Sequence, residues 1–217
     1  MTKVFDILAY GDSLTWGADP GMNRRLPHEA RWPSVAQAAL GERARIVNAG
    51  LSGRTTQFDD FGKGYDRNGL RTLPLVLAMH KPLDLIVLMF GANDLKPALC
   101  GKADGTVDGL SRMIEIIRDA NAGHDHPPAI LIIAPPHLRN LANGAPPKGG
   151  RSIAESKRLA PLLEQLAEKT RCAFLDAATV ADASLIDGVH LDARSSIALG
   201  QAIGRKIADM LSVTSAN

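Results

Sequence analysis

The sequence predicts an α/β protein with a parallel sheet and helices on both faces. Two observations carry this reading. Strand-length apolar runs alternate with helix-like segments along the whole chain, the β-α-β-α order of a parallel sheet. The runs are also apolar at successive positions, as strands buried between two helical layers are. The 217 residues are enough for one domain, spanning 1–217, with a substantial core.

The expected strands are VFDILAY (4–10), ARIVNAG (44–50), LDLIVLMF (83–90), AILIIA (129–134) and CAFLDA (172–177). The first expected helix, WPSVAQAALG (32–41), has Pro33 where a first turn tolerates proline and Gly41 where a helix stops. Pro74 makes LRTLPLVLAMH (70–80) a poorer helix. Segments 106–121, 152–170 and 193–211 carry apolar residues at helical spacing. Met79, Met89 and Met113 are expected in the core. Two long irregular connections, 53–69 and 135–150, each follow a strand. The second is open to two readings, a surface loop or a lid or pocket wall.

Composition excludes several function classes. Lys and Arg total 25 against 23 for Asp and Glu, a net charge of +2 with no long basic run, so no nucleic-acid partner is expected. No apolar stretch approaches the length of a membrane span, and no membrane partner is expected. The first residues show no signal core, and Cys100 and Cys172 fit reduced thiols, so the cytoplasm is the expected compartment. His124-Asp125-His126 suggests metal ligation but has no further ligands at suitable spacing; neither a metal nor a cofactor is expected.

In open parallel sheets, ligands bind beyond the C-terminal strand ends. Gly11-Asp12-Ser13 follows the first strand, and Gly50-Leu51-Ser52-Gly53-Arg54 the second. Gly91-Ala92-Asn93-Asp94 follows the third, and Asp187-Gly188-Val189-His190 closes the connection after the fifth. All four sets fall on one rim. There Ser13 is a candidate nucleophile that needs a base. His190 is the candidate base, and Asp187, three residues earlier, can reach one ring nitrogen while the other faces Ser13. An Asp-x-x-His pair taken alone equally describes a solvated surface pair. The Ser13 backbone N–H, Gly53 and the Asn93 amide are candidate oxyanion donors. Singly, Gly53 reads as a turn glycine and Asn93 as a turn or cap residue; together, in register with Ser13 and His190, they read as a site. Asp12 and Asp94 read as partners of local backbone, and Asp12 with Trp16 as candidates for substrate contact. Trp16 is equally open to core packing, and Arg54 to holding a loop or an interface. Thr15 stands where the last glycine of Gly-x-Ser-x-Gly would be, so the nucleophile-elbow template does not apply.

As a set, Gly11-Asp12-Ser13-Leu14, Gly53, Gly91-x-Asn93-Asp94 and Asp187-x-x-His190 resemble the four sequence blocks of the SGNH hydrolases, also called GDSL esterases/lipases. The resemblance covers nearly the whole chain. It implies a flavodoxin-like three-layer α/β/α sandwich with strand order 2-1-3-4-5. It also implies Ser13 as nucleophile, Ser13, Gly53 and Asn93 as the oxyanion hole, and His190 as base held by Asp187. GDSLTWG, RWPSV, GLSGRTT followed by DD, NG and HKPLDLIVLMFGANDLK resemble the bacterial arylesterase/acyltransferase branch. That branch implies short acyl esters as substrates, acyl transfer to alcohols or peroxide, and a homo-oligomer such as an octamer. The chain departs from it at Ala18-Asp19-Pro20. The expected function is a serine carboxylesterase for short-chain acyl esters, aryl esters included. A carbohydrate O-acetyl esterase, a thioesterase or lysophospholipase, and a non-catalytic binding module on the same fold are the alternatives.

Overall fold

The computed structural model describes residues 3–62, 64–123 and 127–214. They form a five-stranded parallel sheet in the order β2-β1-β3-β4-β5. The strands are β1 (Phe5–Gly11), β2 (Ala44–Gly50), β3 (Leu85–Met89), β4 (Ala129–Ala134) and β5 (Ala173–Asp176). Ile7 to Tyr10 and Leu85 to Met89 are buried, as their continuous apolar pattern requires. The helices are α1 (Ser13–Trp16), α2 (Trp32–Leu40), α3 (Gly69–His80), α4 (Ala103–Asp119), α5 (Ile153–Thr170) and α6 (Ala193–Thr214). Helices α2 and α6 pack together, while α4 packs on α3 and on α5. Between these helical layers and the sheet lies one continuous apolar core.

Local chemistry sets the helix ends. Ser152 caps α5 by accepting from the Glu155 N–H at 3.2 Å, and Asn68 caps α3 by accepting from Arg71 N–H at 3.1 Å. Pro74 does not prevent α3. The Asn68 cap and the burial of Leu73 and Leu77 outweigh the one backbone bond that proline removes. Met89 and Met113 lie in the core, but Met79 is 67% exposed, against expectation. It follows Leu77 by two residues, so it falls off the buried face of α3.

Beyond the C-terminal end of β1 the chain turns directly into α1. Gly11 lies beside Gly50 in the sheet register. A Cβ at Gly50 would come within 2.2 Å of Trp16 N and 2.6 Å of the Thr15 carbonyl carbon. Glycine at the end of β2 is therefore what lets α1 fold back over the sheet rim and present Ser13 there. Among the described residues no helix is long and apolar enough to cross a membrane.

Candidate active site

Ser13 opens α1 and is only 3% exposed. Asp12 caps that helix, accepting from Leu14 N–H at 2.9 Å, which points the Ser13 side chain toward the last loop. His190 meets it there, with Nε2 3.0 Å from Ser13 Oγ. On the other side of the ring, Nδ1 is 2.5 Å from Asp187 Oδ2. Asp187 Oδ1 accepts from Val189 N–H at 3.0 Å and from His190 N–H at 2.9 Å, so both carboxylate oxygens are occupied. Burial pushes the Asp187 carboxyl upward. The hydrogen bond and charge of His190 and the two backbone N–H groups outweigh it and hold the group below the usual carboxylate range. An ionised Asp187 that accepts at Oδ2 keeps the proton on Nδ1 and leaves Nε2 as an acceptor facing the Ser13 hydroxyl.

Two of the expected oxyanion donors lie on loops tied to the end of β1, Gly53 through its neighbour Arg54 and Asn93 through Asp12. Gly53 stands at φ +83°, in a turn closed by Arg54 N–H donating to Leu51 O at 3.1 Å. A Cβ on Gly53 would also lie 2.6 Å from Arg67 Nη1. Asn93 is buried, its Nδ2 donating to Arg54 O at 3.1 Å with a longer 3.4 Å contact to Asp12 Oδ2. The Arg54 guanidinium donates to Gly11 O at 3.0 Å and to Ala49 O at 2.5 Å, and stacks 4.4 Å over the Tyr10 ring. It thus ties the Gly53 turn to the ends of β1 and β2, a structural role of the kind its position suggested.

Two carboxylates sit beneath the site. Asp94 accepts from Thr56 N–H at 2.9 Å and from the hydroxyls of Thr56 and Thr106 at 2.8 and 2.9 Å, and so joins the third block to the loop after β2. Burial pushes its carboxyl up to about 6, against the pull of those three donors. Asp12, also pushed up to about 6 by burial, is 0% exposed. The expectation that Asp12 contacts substrate is therefore corrected, because its two oxygens face Leu14 N–H and the Asn93 amide under the site. Trp16 does line the pocket. Arg25 packs 5.2 Å from its ring centroid and donates to its carbonyl oxygen at 2.7 Å.

The pocket has a volume of about 580 Å³, with His190 in its wall. The segment from Ala18 to Arg24 forms one side, a turn held by Asp19 N–H donating to Arg24 O at 3.0 Å. Leu51, Ser52, Tyr65 and Lys148 form the rest. Both long connections thus supply pocket wall, Tyr65 from one and Lys148 from the other. Residues Asn23, Arg24, Tyr65 and Lys148 were not singled out in the sequence; only the position of their loops beyond strand ends pointed to them. Among the described residues no group of three or more His, Cys, Asp or Glu side chains could hold a metal ion. His124-Asp125-His126 lies outside those residues.

A parallel α/β sheet with a serine, a histidine and an aspartate joined at its C-terminal rim defines the class of carboxylic ester hydrolases built on this fold. The chain belongs to the GDSL-like Lipase/Acylhydrolase family, whose model matches residues 9–195. It is similar to a carbohydrate acetylesterase family member from Sinorhizobium meliloti, at 45% identity, covering 96% of this chain and 99% of that one, with a TM-score of 0.89. A protein of Agrobacterium tumefaciens str. C58, provisionally described as an arylesterase, is 44% identical over 94% of this chain and 99% of its own, with a TM-score of 0.91. The native M. smegmatis aryl esterase is 30% identical over 94% and 99%, with a TM-score of 0.84. The chain spans about half the length of the curated relatives it matches: thioesterase 1/protease 1/lysophospholipase L1 of Escherichia coli (strain K12) is 28% identical over 54% of this chain and 47% of that protein. The strand order 2-1-3-4-5 and the SGNH family membership agree with what the sequence implied.

Proposed function

We propose that this SGNH esterase hydrolyses short-chain acyl esters through an acyl-enzyme on Ser13. The observation that carries the reading is the continuous hydrogen-bonded line from Asp187 through His190 to Ser13 Oγ, opening on a pocket at the sheet rim. His190 Nε2 takes the Ser13 proton as Oγ attacks the ester carbonyl. The negative charge forms on the carbonyl oxygen, within reach of the Ser13 and Gly53 N–H groups and the Asn93 amide. His190 then gives its proton to the departing alcohol. Water, deprotonated by the same nitrogen, attacks the acyl carbon, and the collapse releases the acid and restores Ser13. Asp187 stays ionised throughout and stabilises the imidazolium.

The relative named for carbohydrate acetyl esters supports a small acyl group, and because two others are named for aryl esters the alcohol portion is left to the pocket wall. Asp19, Asn23, Arg24, Ser52 and Lys148 give that wall many polar groups, which favours a hydroxyl-rich alcohol such as an acetylated sugar as the second reading. An alcohol or peroxide replacing water in the second half of the reaction would give acyl transfer. The resemblance to the arylesterase branch also supports a homo-oligomer. So does the exposed apolar rim of the pocket, where Met22, Tyr65 and Ile186 are each 45% exposed or more. Sedimentation at the monomer mass would contradict the oligomer.

The test is a p-nitrophenyl ester series, acetate to long chain, together with an acetyl-sugar panel, on wild type and Ser13→Ala. Turnover that falls with chain length and drops roughly 10³-fold or more in the variant is expected. Activity of Ser13→Ala near wild type would overturn the mechanism. An active panel of acetylated sugars beside weak aryl-ester turnover would select the second reading.

A further inference from the structure

An amide can face either way, and an oxyanion donor works only in one. Asn93 has to present its NH₂ to the developing charge, because a flipped amide would present a carbonyl oxygen and repel it. Three neighbours decide the orientation. On one side stand Arg54 O, an acceptor only, 3.1 Å from Nδ2, and Asp12 Oδ2 at a longer 3.4 Å. On the other stands the guanidinium of Arg151, a donor only, with Nη2 3.1 Å from Asn93 Oδ1. With an acceptor at one end and a donor at the other, a single orientation of the amide satisfies both.

The same guanidinium does more. Its Nε donates to Ala92 O, the carbonyl just before Asn93, and its Nη1 donates to Lys148 O. Lys148 N–H in turn donates to Asp187 O at 2.9 Å. The segment after β4 runs beside the His190 loop through two further bonds, Arg139 N–H to Gly188 O at 3.1 Å and Ala142 N–H to Leu185 O at 2.9 Å. Arg151 is 8% exposed and ends that segment immediately before α5. Its three donor groups therefore join Ala92 and Asn93 to Lys148, and Lys148 in turn bonds the loop that carries Asp187 and His190.

We infer that Arg151 is the positioning residue of this site: it fixes the Asn93 amide as an oxyanion donor and braces the 139–148 segment that backs the Asp187 loop. The role rests on the ester-hydrolysis reading above. It also gives the Pro/Gly-rich segment a function as a brace, tied down at both edges of the pocket. Burial disfavours the charge of Arg151, and attraction to the carboxylates of Asp12 and Asp187 offsets part of that cost.

The test is a double-mutant cycle on hydrolysis of p-nitrophenyl acetate by wild type, Arg151→Met, Asn93→Ala and the double variant. Arg151→Met is expected to lower kcat by about 10²-fold or more, the size of losing one oxyanion donor, with KM changed by about threefold at most. In the Asn93→Ala background the same substitution is expected to cost at least about tenfold less, because no amide remains to be oriented and only the brace is lost. Arg151→Met at wild-type kcat, or the same loss in both backgrounds, would overturn the role. If Arg151→Met does not fold, Arg151→Lys enters the cycle under the same criteria, since an ammonium cannot make all three bonds at once. A wild type without esterase activity would instead overturn the ester-hydrolysis reading itself.

Discussion

Replacing Asp187 by asparagine removes one charge and alters almost no volume, yet the structure predicts a large effect. Oδ1 of Asp187 accepts two backbone N–H bonds, from Val189 and His190. In the variant, the amide oxygen must keep that place. The reverse orientation would set an NH₂ against two buried N–H donors and leave both unsatisfied, at about 1–3 kcal/mol each. The NH₂ is therefore forced to the position of Oδ2, 2.5 Å from His190 Nδ1 in wild type. A donor there demands that Nδ1 be the acceptor, so the ring proton moves to Nε2. Nε2–H then points at Ser13 Oγ and cannot take its proton. The expected loss is about 10³- to 10⁴-fold in kcat, equivalent to about 4–5 kcal/mol of transition-state stabilisation. Steady-state hydrolysis of p-nitrophenyl acetate measures it, with the melting temperature as the folding control. A folded Asp187→Asn within about tenfold of wild-type kcat/KM would refute the tautomer argument.

Other substitutions test the frame around the site. Gly50→Ala would place a methyl group 2.2 Å from Trp16 N, so α1 must shift; a stability loss of about 1–3 kcal/mol in urea unfolding and a lower kcat are expected together. A stable and fully active variant would show that Ser13 does not depend on that close approach. Asp94 has its carboxyl pushed above the unfolded value to about 6, so the native state binds more protons than the unfolded state between about pH 4 and pH 6. Stability from this group is present at the acid end and is lost as pH rises through that window, by at most about 3 kcal/mol. Asp94→Asn should therefore gain stability relative to wild type as pH rises from about 4 to 6, read as the difference in melting temperature; a difference independent of pH would contradict the assignment. Trp16→Ala opens the pocket wall beside the nucleophile, and an increase in the longest acyl chain turned over is expected from the ester series. An unchanged chain-length profile would assign Trp16 to the alcohol side or to packing.

How far the sequence carried the structure depends on the range of the causes. β4 occupies the residues expected, because an uninterrupted apolar run leaves a strand buried on both faces as the natural solution; β2 also occupies its expected residues, but as an edge strand carrying Arg45 and Asn48 it is only half-buried along most of its length. Ser13, Gly53, Asn93, Asp187 and His190 could be placed on one rim because parallel topology sends every strand end to the same side. Residues whose roles come from distant partners were not readable. Arg151 follows two glycines in a loop and has no local signal; its acceptor Asn93 lies 58 residues away. Asp12 looked available to substrate because it neighbours the nucleophile, but its side chain turns inward to cap α1. Met79 fits an apolar run, yet helical rotation puts it in solvent.

In the proposed reaction Ser13 carries the acyl group. Wild-type protein treated with a p-nitrophenyl phosphonate, then digested and mapped by mass spectrometry, tests it most directly. One phosphonyl group is expected, on the peptide containing Ser13, forming as esterase activity disappears, with no labelling of Ser13→Ala. Activity lost with the label on another residue, or esters hydrolysed by protein that forms no adduct at Ser13, would contradict it.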